Sequence, residues 1–165
     1  MIKNTQKQII SYYILFIICN CYILMLFYNN RQNKFVNFET IDQIIDDDNV
    51  HVDEIVLNKE IVEIRGWKID TEDKSNIFNM EVVLEELENQ EYIKVPTVME
   101  KREDISYYFG NDTHYENSGF VGRILISNLN NSKYRVCILK RNEQDICLYL
   151  TNTIFLYNEG NLVVQ

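Results

Sequence analysis

The sequence predicts an all-β protein, an antiparallel β-sandwich of Ig-like or jelly-roll-like type, preceded by one N-terminal transmembrane helix. Three observations lead there. Short runs of alternating apolar and polar residues recur from Val52 onward, separated by turn signals such as "NNSK" and "NEGN". The 165 residues contain no alanine, five glycines and one proline, against abundant β-branched and aromatic residues, which removes the best helix former and favours pleated structure. One stretch, Ile9 to Tyr28, is apolar almost without interruption. Hydrophobic residues make up 46% of the chain, enough for a real core and outside the composition of disordered chains.

The chain divides into four parts: a short basic N-terminus (1–8), the apolar span (9–28), a polar stalk or linker (29–50) and the sandwich (51–165). The span "IISYYILFIICNCYILMLFY" has the length of a helix covering about 30 Å, the thickness of the hydrocarbon core. Tyr12, Tyr13 and Tyr28 lie near its ends, where aromatic belts form. A cleaved signal peptide needs a shorter apolar region and small residues before the cut; here "NNRQNK" follows, and "FIIC" lacks the small residue of a lipoprotein site. The reading is an uncleaved single-pass anchor, N-terminus in the cytoplasm and β domain outside the cell membrane. Asn20, an amide at mid-span, has the chemistry to hydrogen-bond across a helix pair. In the stalk, Ile41, Ile44 and Ile45 at i, i+3 and i+4 suggest one or two helical turns.

Charge is unevenly spread. Residues 1–34 carry Lys3, Lys7, Arg31 and Lys34 and no acid, whereas the rest holds 25 acidic against 12 basic residues. Such a domain is repelled by phosphate backbones, so nucleic acid is excluded as a partner.

Strands are expected at 52–57, 61–69, 77–88, 91–98, 119–127, 133–140, 145–151, 153–157 and 161–164. The core is drawn from Phe78, Met80, Val82 and Leu84, from Phe120, Ile124 and Ile126, from Tyr134, Val136 and Ile138, and from Ile146, Leu148 and Leu150. Val62 and Ile64 fall on one face and Trp67 and Ile69 on the other parity, so an extra residue at Gly66 would bring all four inward. A β-bulge or sharp bend is therefore expected at Gly66, aiming Trp67 into the core; a sugar-stacking role for Trp67 is the other reading. "EDISYYFG" breaks the strand rhythm and suits a short helix or turn that ends at Gly110.

The order "GWKID", "REDI", "SGF" and "KYRVCIL" resembles the β-sandwich accessory domains found beside bacterial glycosyltransferases and in other cell-surface polysaccharide proteins. The matching residues are Gly66 and Trp67, then Arg102, Asp104 and Ile105, then Ser118, Gly119 and Phe120, then Tyr134. Ser132 and Lys133 stand where that hairpin commonly has glycine. The resemblance covers about residues 52–157 and implies a fold and a bacterial-envelope setting. From the residues themselves, Arg102 and Asp104 suit a paired or capped turn, Gly119 an entry into the sheet, and Phe120 a core plug.

Catalytic patterns are sparse. His51 and His114 are far apart, with no ligand spacing around them. Neither a glycine-rich phosphate loop nor a nucleophile elbow occurs, and no two carboxylates stand out as a glycosidase pair. "DDDNVHVD" and "DTEDKSN" are oxygen-rich without EF-hand spacing. No catalytic residue, cofactor or metal site is assigned. Tyr107, Tyr108 and Tyr115 are candidate glycan contacts on the non-strand segment. Cys137 and Cys147 flank "RNEQD"; a three-residue loop sets them across the hairpin for a disulfide, a two-residue loop separates them by register. The expectation is a non-catalytic, membrane-anchored, extracytoplasmic β-sandwich accessory to cell-envelope or surface-polysaccharide processes, with a glycan or envelope protein as partner. The alternatives are a carbohydrate-binding module using exposed aromatics, a small glycan-active enzyme, and a membrane assembly subunit paired through Asn20.

Overall fold

The computed structural model describes residues 12, 15–25, 41–46, 49–69, 80–110, 112–141 and 145–165. Phe78 and the whole of "DTEDKSN" lie outside them, as do the ends of the expected 9–28 span. The chain forms two compact units, Met1–Lys34 and Phe35–Gln165.

In the first unit, residues 15–25 form helix α1 with every described side chain exposed. Among the described residues no helix is long and apolar enough to cross a membrane.

The second unit is two β-sheets. Strands β1 (Gln43–Asp46), β4 (Met80–Glu86), β5 (Glu91–Val95), β8 (Ser132–Arg141), β9 (Ile146–Asn158) and β10 (Asn161–Val164) make a six-stranded sheet ordered β1-β9-β8-β4-β5, with β10 also on β9. Strands β2 (Val50–Asn58), β3 (Ile61–Lys68), β6 (Thr97–Glu100) and β7 (Gly119–Leu125) make a four-stranded sheet ordered β2-β3-β7-β6. All pairs are antiparallel except β1 with β9. The two inner faces enclose one core that includes Val62, Ile64, Val82, Leu84, Phe120, Ile124, Tyr134, Val136, Ile138 and Phe155.

Tight turns do what their residues allow. Glu159 and Gly160 both have positive φ, 47° and 83°, the geometry that matches strand twist in a two-residue hairpin. At the start of β8, the Tyr134 hydroxyl accepts from the Asn130 backbone N–H at 2.7 Å and donates to its C=O at 3.1 Å. One buried phenol thereby satisfies two main-chain groups of the incoming loop, much as a tyrosine corner does.

Five expectations change. The strands expected at 145–151 and 153–157 are one continuous strand, β9, paired with β8 along its length. The isoleucines at 41–45 build β1 and the end of the loop before it, not a helical turn, because the segment finds a parallel partner in β9. The run 91–98 splits at Pro96, which has no N–H to give a ladder. There the chain crosses from one sheet to the other; Thr97 Oγ1 donates to Val95 O at 2.7 Å and accepts from Val82 N at 2.9 Å, holding the corner. The β8–β9 turn spans four residues, with Arg141 opposite Ile146 and Lys140 opposite Cys147. That length sets Cys147 and Tyr149 into the main core and leaves Leu148 in a second apolar cluster with Val83, Cys137 and Leu139. Cys137 and Cys147 therefore occupy different clusters, Cys137 is opposite Leu150, and both are free thiols.

The fifth correction concerns Gly66 and Trp67. β3 runs unbroken through Gly66, which pairs with Phe120 on one side and Val52 on the other. The register shift lies in the neighbouring strand, between Val52 and Glu54. Trp67 therefore keeps the parity opposite Val62 and Ile64 and lies half-buried on the outer face. Gly66 is glycine for a steric reason: a Cβ there would stand 2.6 Å from Phe120 Cζ and would also collide with the His51 carbonyl oxygen. The Phe120 ring, fully buried, lies over it.

Gly66→Ala forces that ring or the β2 backbone to move. The full chain, unfolded in urea and followed by its single tryptophan, is expected to lose at least about 2 kcal/mol; an unchanged midpoint contradicts the contact.

Candidate functional site

The stretches "GW", "RED" and "SGF" meet at one end of the four-stranded sheet, on its outer side. Arg102 precedes helix α2 (Glu103–Tyr108). Its Nε and Nη2 donate to the two Asp104 carboxylate oxygens at 2.9 and 2.8 Å, and its Nη1 donates to Asp53 Oδ2 at 2.6 Å. Asp53 is the unpaired residue of the β2 bulge. One planar fork thus ties the bulge to the first turn of α2, the bidentate geometry that guanidinium and carboxylate favour. The Arg102 stem lies against Gly119, where a Cβ would stand 2.5 Å from Arg102 Cγ. The Arg102 N–H donates to Glu116 O at 2.6 Å, and Lys101 pairs with Glu103 and Glu116 at 2.8 and 3.0 Å.

The carboxylates and cations of this knot shift accordingly. The Arg102 hydrogen bonds bring the Asp104 pKa down from 3.8 to about 2. Asp104, with Asp53, drives the Arg102 guanidinium further above its already high value against a burial penalty. Glu103 and Glu116 raise Lys101.

Beside the knot lies an aromatic row. His51 stacks on Trp67 with centroids 4.2 Å apart and planes at 24°. Phe109 meets the Trp67 edge at 6.2 Å and touches Tyr108 at 5.0 Å and Tyr115 at 5.3 Å. Such offset and edge-on contacts suit the ring quadrupoles. Phe109 is the hub and half-buried; Tyr107 and Tyr108, at 77% and 79% exposure, stand out into solvent. Gly110 at φ +83° ends the segment, and a 3-10 turn, Thr113–Asn117, returns the chain to β7. Asp112 starts that turn by accepting from the His114 N–H at 3.0 Å and binding its ring Nδ1.

Of the residues singled out in the sequence, Gly66, Trp67, Arg102, Asp104, Gly119 and Phe120 are thus brought together. Tyr108 and Tyr115 join the same surface through Phe109, Tyr115 as a half-buried support, and Tyr107 is exposed one position earlier on α2. His51, Asp53, Phe109 and Glu116 complete it, and no local pattern around them pointed to this surface. Asp53 lies 49 positions from Arg102, so no local spacing marks the pair. Cys137 and Cys147 lie elsewhere, and burial pushes both thiols up, Cys137 to about 12. Among the described residues no group of three or more His, Cys, Asp or Glu side chains is placed to hold a metal. In α1, Asn20 Nδ2 donates to Phe16 O at 2.8 Å, so its amide N–H is engaged within its own helix.

No family model matches this chain, and no curated protein or solved structure matches it.

Because the Asp104 pKa is depressed in the folded state, the Arg102–Asp104 pair contributes its full stabilisation above about pH 4 and loses it as pH falls toward 2. The stability difference between the natural chain and Asp104→Asn is expected to shrink over that window in urea titrations. A difference that stays flat from pH 5 to about 2 contradicts the pairing.

Proposed function

We propose that this chain is a non-catalytic binding domain of the cell envelope. It is held at a membrane by the apolar span 9–28 and recognises glycan through the aromatic surface of α2. The observation that carries this reading is the pair of exposed tyrosines, Tyr107 and Tyr108, on a helix that the Arg102 fork pins beside Trp67, Phe109 and His51. Exposed aromatic rings on a rigid support lose little entropy when a ligand stacks on them, and the apolar face of a sugar ring is such a ligand. The polar groups around them, Lys101, Arg102 and His114, are already paired, so the surface is built to hold a shape rather than to move protons. Both histidines are engaged in contacts and both sandwich thiols are shifted away from reactivity.

The resemblance of "GWKID", "REDI" and "SGF" to accessory domains of surface-polysaccharide proteins supports the envelope setting. The exposed apolar side chains of α1, among them Leu15, Phe16, Ile17 and Leu24, are those a lipid environment accepts. With its amide turned into its own helix, Asn20 gives an assembly-subunit reading no specific support.

Two experiments test this. The full chain in detergent micelles is expected to bind members of a glycan array, and Tyr107→Ala with Tyr108→Ala to weaken that binding about 10-fold or more; a blank array overturns the glycan reading. Separately, the chain is expected to stay with membranes after alkaline carbonate extraction and to be cut beyond residue 34 when intact cells are treated with protease. Release by carbonate overturns the anchor.

A further inference from the structure

Away from the helix, the outer face of the four-stranded sheet carries a row of mostly polar side chains along β3. Along β3 the outward residues are Trp67, Arg65 and Glu63. They stand opposite Gly119, Val121 and Arg123 on β7, and opposite His51, Glu54 and Val56 on β2. Val98 on β6 lies beyond Val121, and Glu100 beyond Gly119. Successive outward residues on a strand are about 6.6 Å apart, so the row from Trp67 to Glu63 is about 13 Å long.

The row is held still. Glu63 Oε1 accepts from Arg65 Nε at 2.7 Å, and its Oε2 accepts from Arg123 Nε at 2.6 Å. Arg123 and then Arg65 hold the Glu63 carboxyl below its ordinary range, so it stays ionised. One carboxylate therefore fixes two guanidinium groups by their inner nitrogens. Both side chains remain open to solvent, Arg65 at 41% and Arg123 at 51% exposure. Glu100, 43% exposed, lies 3.7 Å from Arg65 Nη1, and Glu54 is exposed beside it. On the edge strand β6, two residues before Glu100, Val98 is 63% exposed beside the buried Val121 of β7, an apolar spot at the margin of the row.

We infer that this row extends the aromatic surface into a site for a linear, uncharged glycan laid along β3. The inference rests on the glycan reading above and adds the ligand's length and charge. Length follows from geometry, because the row and the aromatic surface together exceed what a single sugar ring covers. Charge follows from the groups present. Two guanidiniums face three carboxylates, Glu54, Glu63 and Glu100, on a chain of net charge −9. An anionic polymer gains no steering from that field. Guanidinium donors and carboxylate acceptors side by side are instead complementary to sugar hydroxyls, which both give and take hydrogen bonds. Val98 offers contact to the apolar side of a ring.

The test uses the full chain in detergent micelles. The probes are linear hexose and N-acetylhexosamine oligomers of graded length, together with a uronate polymer. Uncharged oligomers are expected to bind more tightly as they lengthen. Arg123→Gln, at an exposed position that leaves the core untouched, removes that gain, about 10-fold for the long probes, and leaves the shortest probe unchanged. Arg123→Lys, which keeps the charge and loses the fork, behaves like Arg123→Gln. If Tyr107→Ala with Tyr108→Ala weakens all probes while Arg123→Gln weakens none, the extension fails and the aromatic reading stands. Tightest binding to the uronate polymer overturns the charge assignment. Absence of binding to every probe overturns both.

Discussion

One guanidinium holds the architecture of the exposed end together. Arg102 bonds three carboxylate oxygens on two segments that are distant in the chain, Asp104 in the first turn of α2 and Asp53 in the bulge of β2. The bulge shifts the β2 register relative to β3, which places His51 over Trp67. The helix, pinned by the same fork, brings Phe109 to the indole edge. Removing either carboxylate would leave a partly buried cation short of a partner, which is more costly than never having built the pair.

The same region shows why its glycines are required. Gly66 makes room for Phe120 on the inner face, and Gly119 makes room for the Arg102 stem on the outer face. The two positions are neighbours across β3 and β7, since Gly66 pairs with Phe120 and Trp67 with Gly119. The "GW" and "SGF" stretches are thus two halves of one packing arrangement that joins the core plug to the surface knot. The residues that carry the resemblance noted in the sequence have a steric first task here, and the aromatic row is carried on the frame they make.

The large sheet explains a different feature. β4 and β8 each bury residues on both faces: Val82 and Leu84 in the main core with Val83 in the second cluster, Val136 and Ile138 in the core with Cys137 and Leu139 in the second cluster. Strands buried on both faces lose the clean alternation of a half-exposed strand. Charges at the margins of that outer face are paired, Arg135 with Glu85 at 3.4 Å and Arg141 with Glu81 at 3.6 Å. Acidic composition is therefore spread over paired positions as well as solvated ones.

By itself the sequence determined the local order: the positions of most strands, the inward residues of β4, β7 and β8, and the helix "EDISYY" closed by Gly110. Period-two alternation, turn chemistry and glycine's access to positive φ act within a few residues, so they can be read from the chain. Only the tertiary structure decided the rest. The crossing at Pro96 depends on which sheet receives Thr97. The parity of Cys147 depends on a four-residue turn that two strands must agree on, and a one-residue difference exchanges faces. The bulge appeared opposite Gly66 rather than at it, because a glycine's empty side can be filled by a neighbour's ring as well as by its own unusual backbone. And Arg102 found Asp53 across 49 residues, a pairing that folding brings about and no local spacing announces.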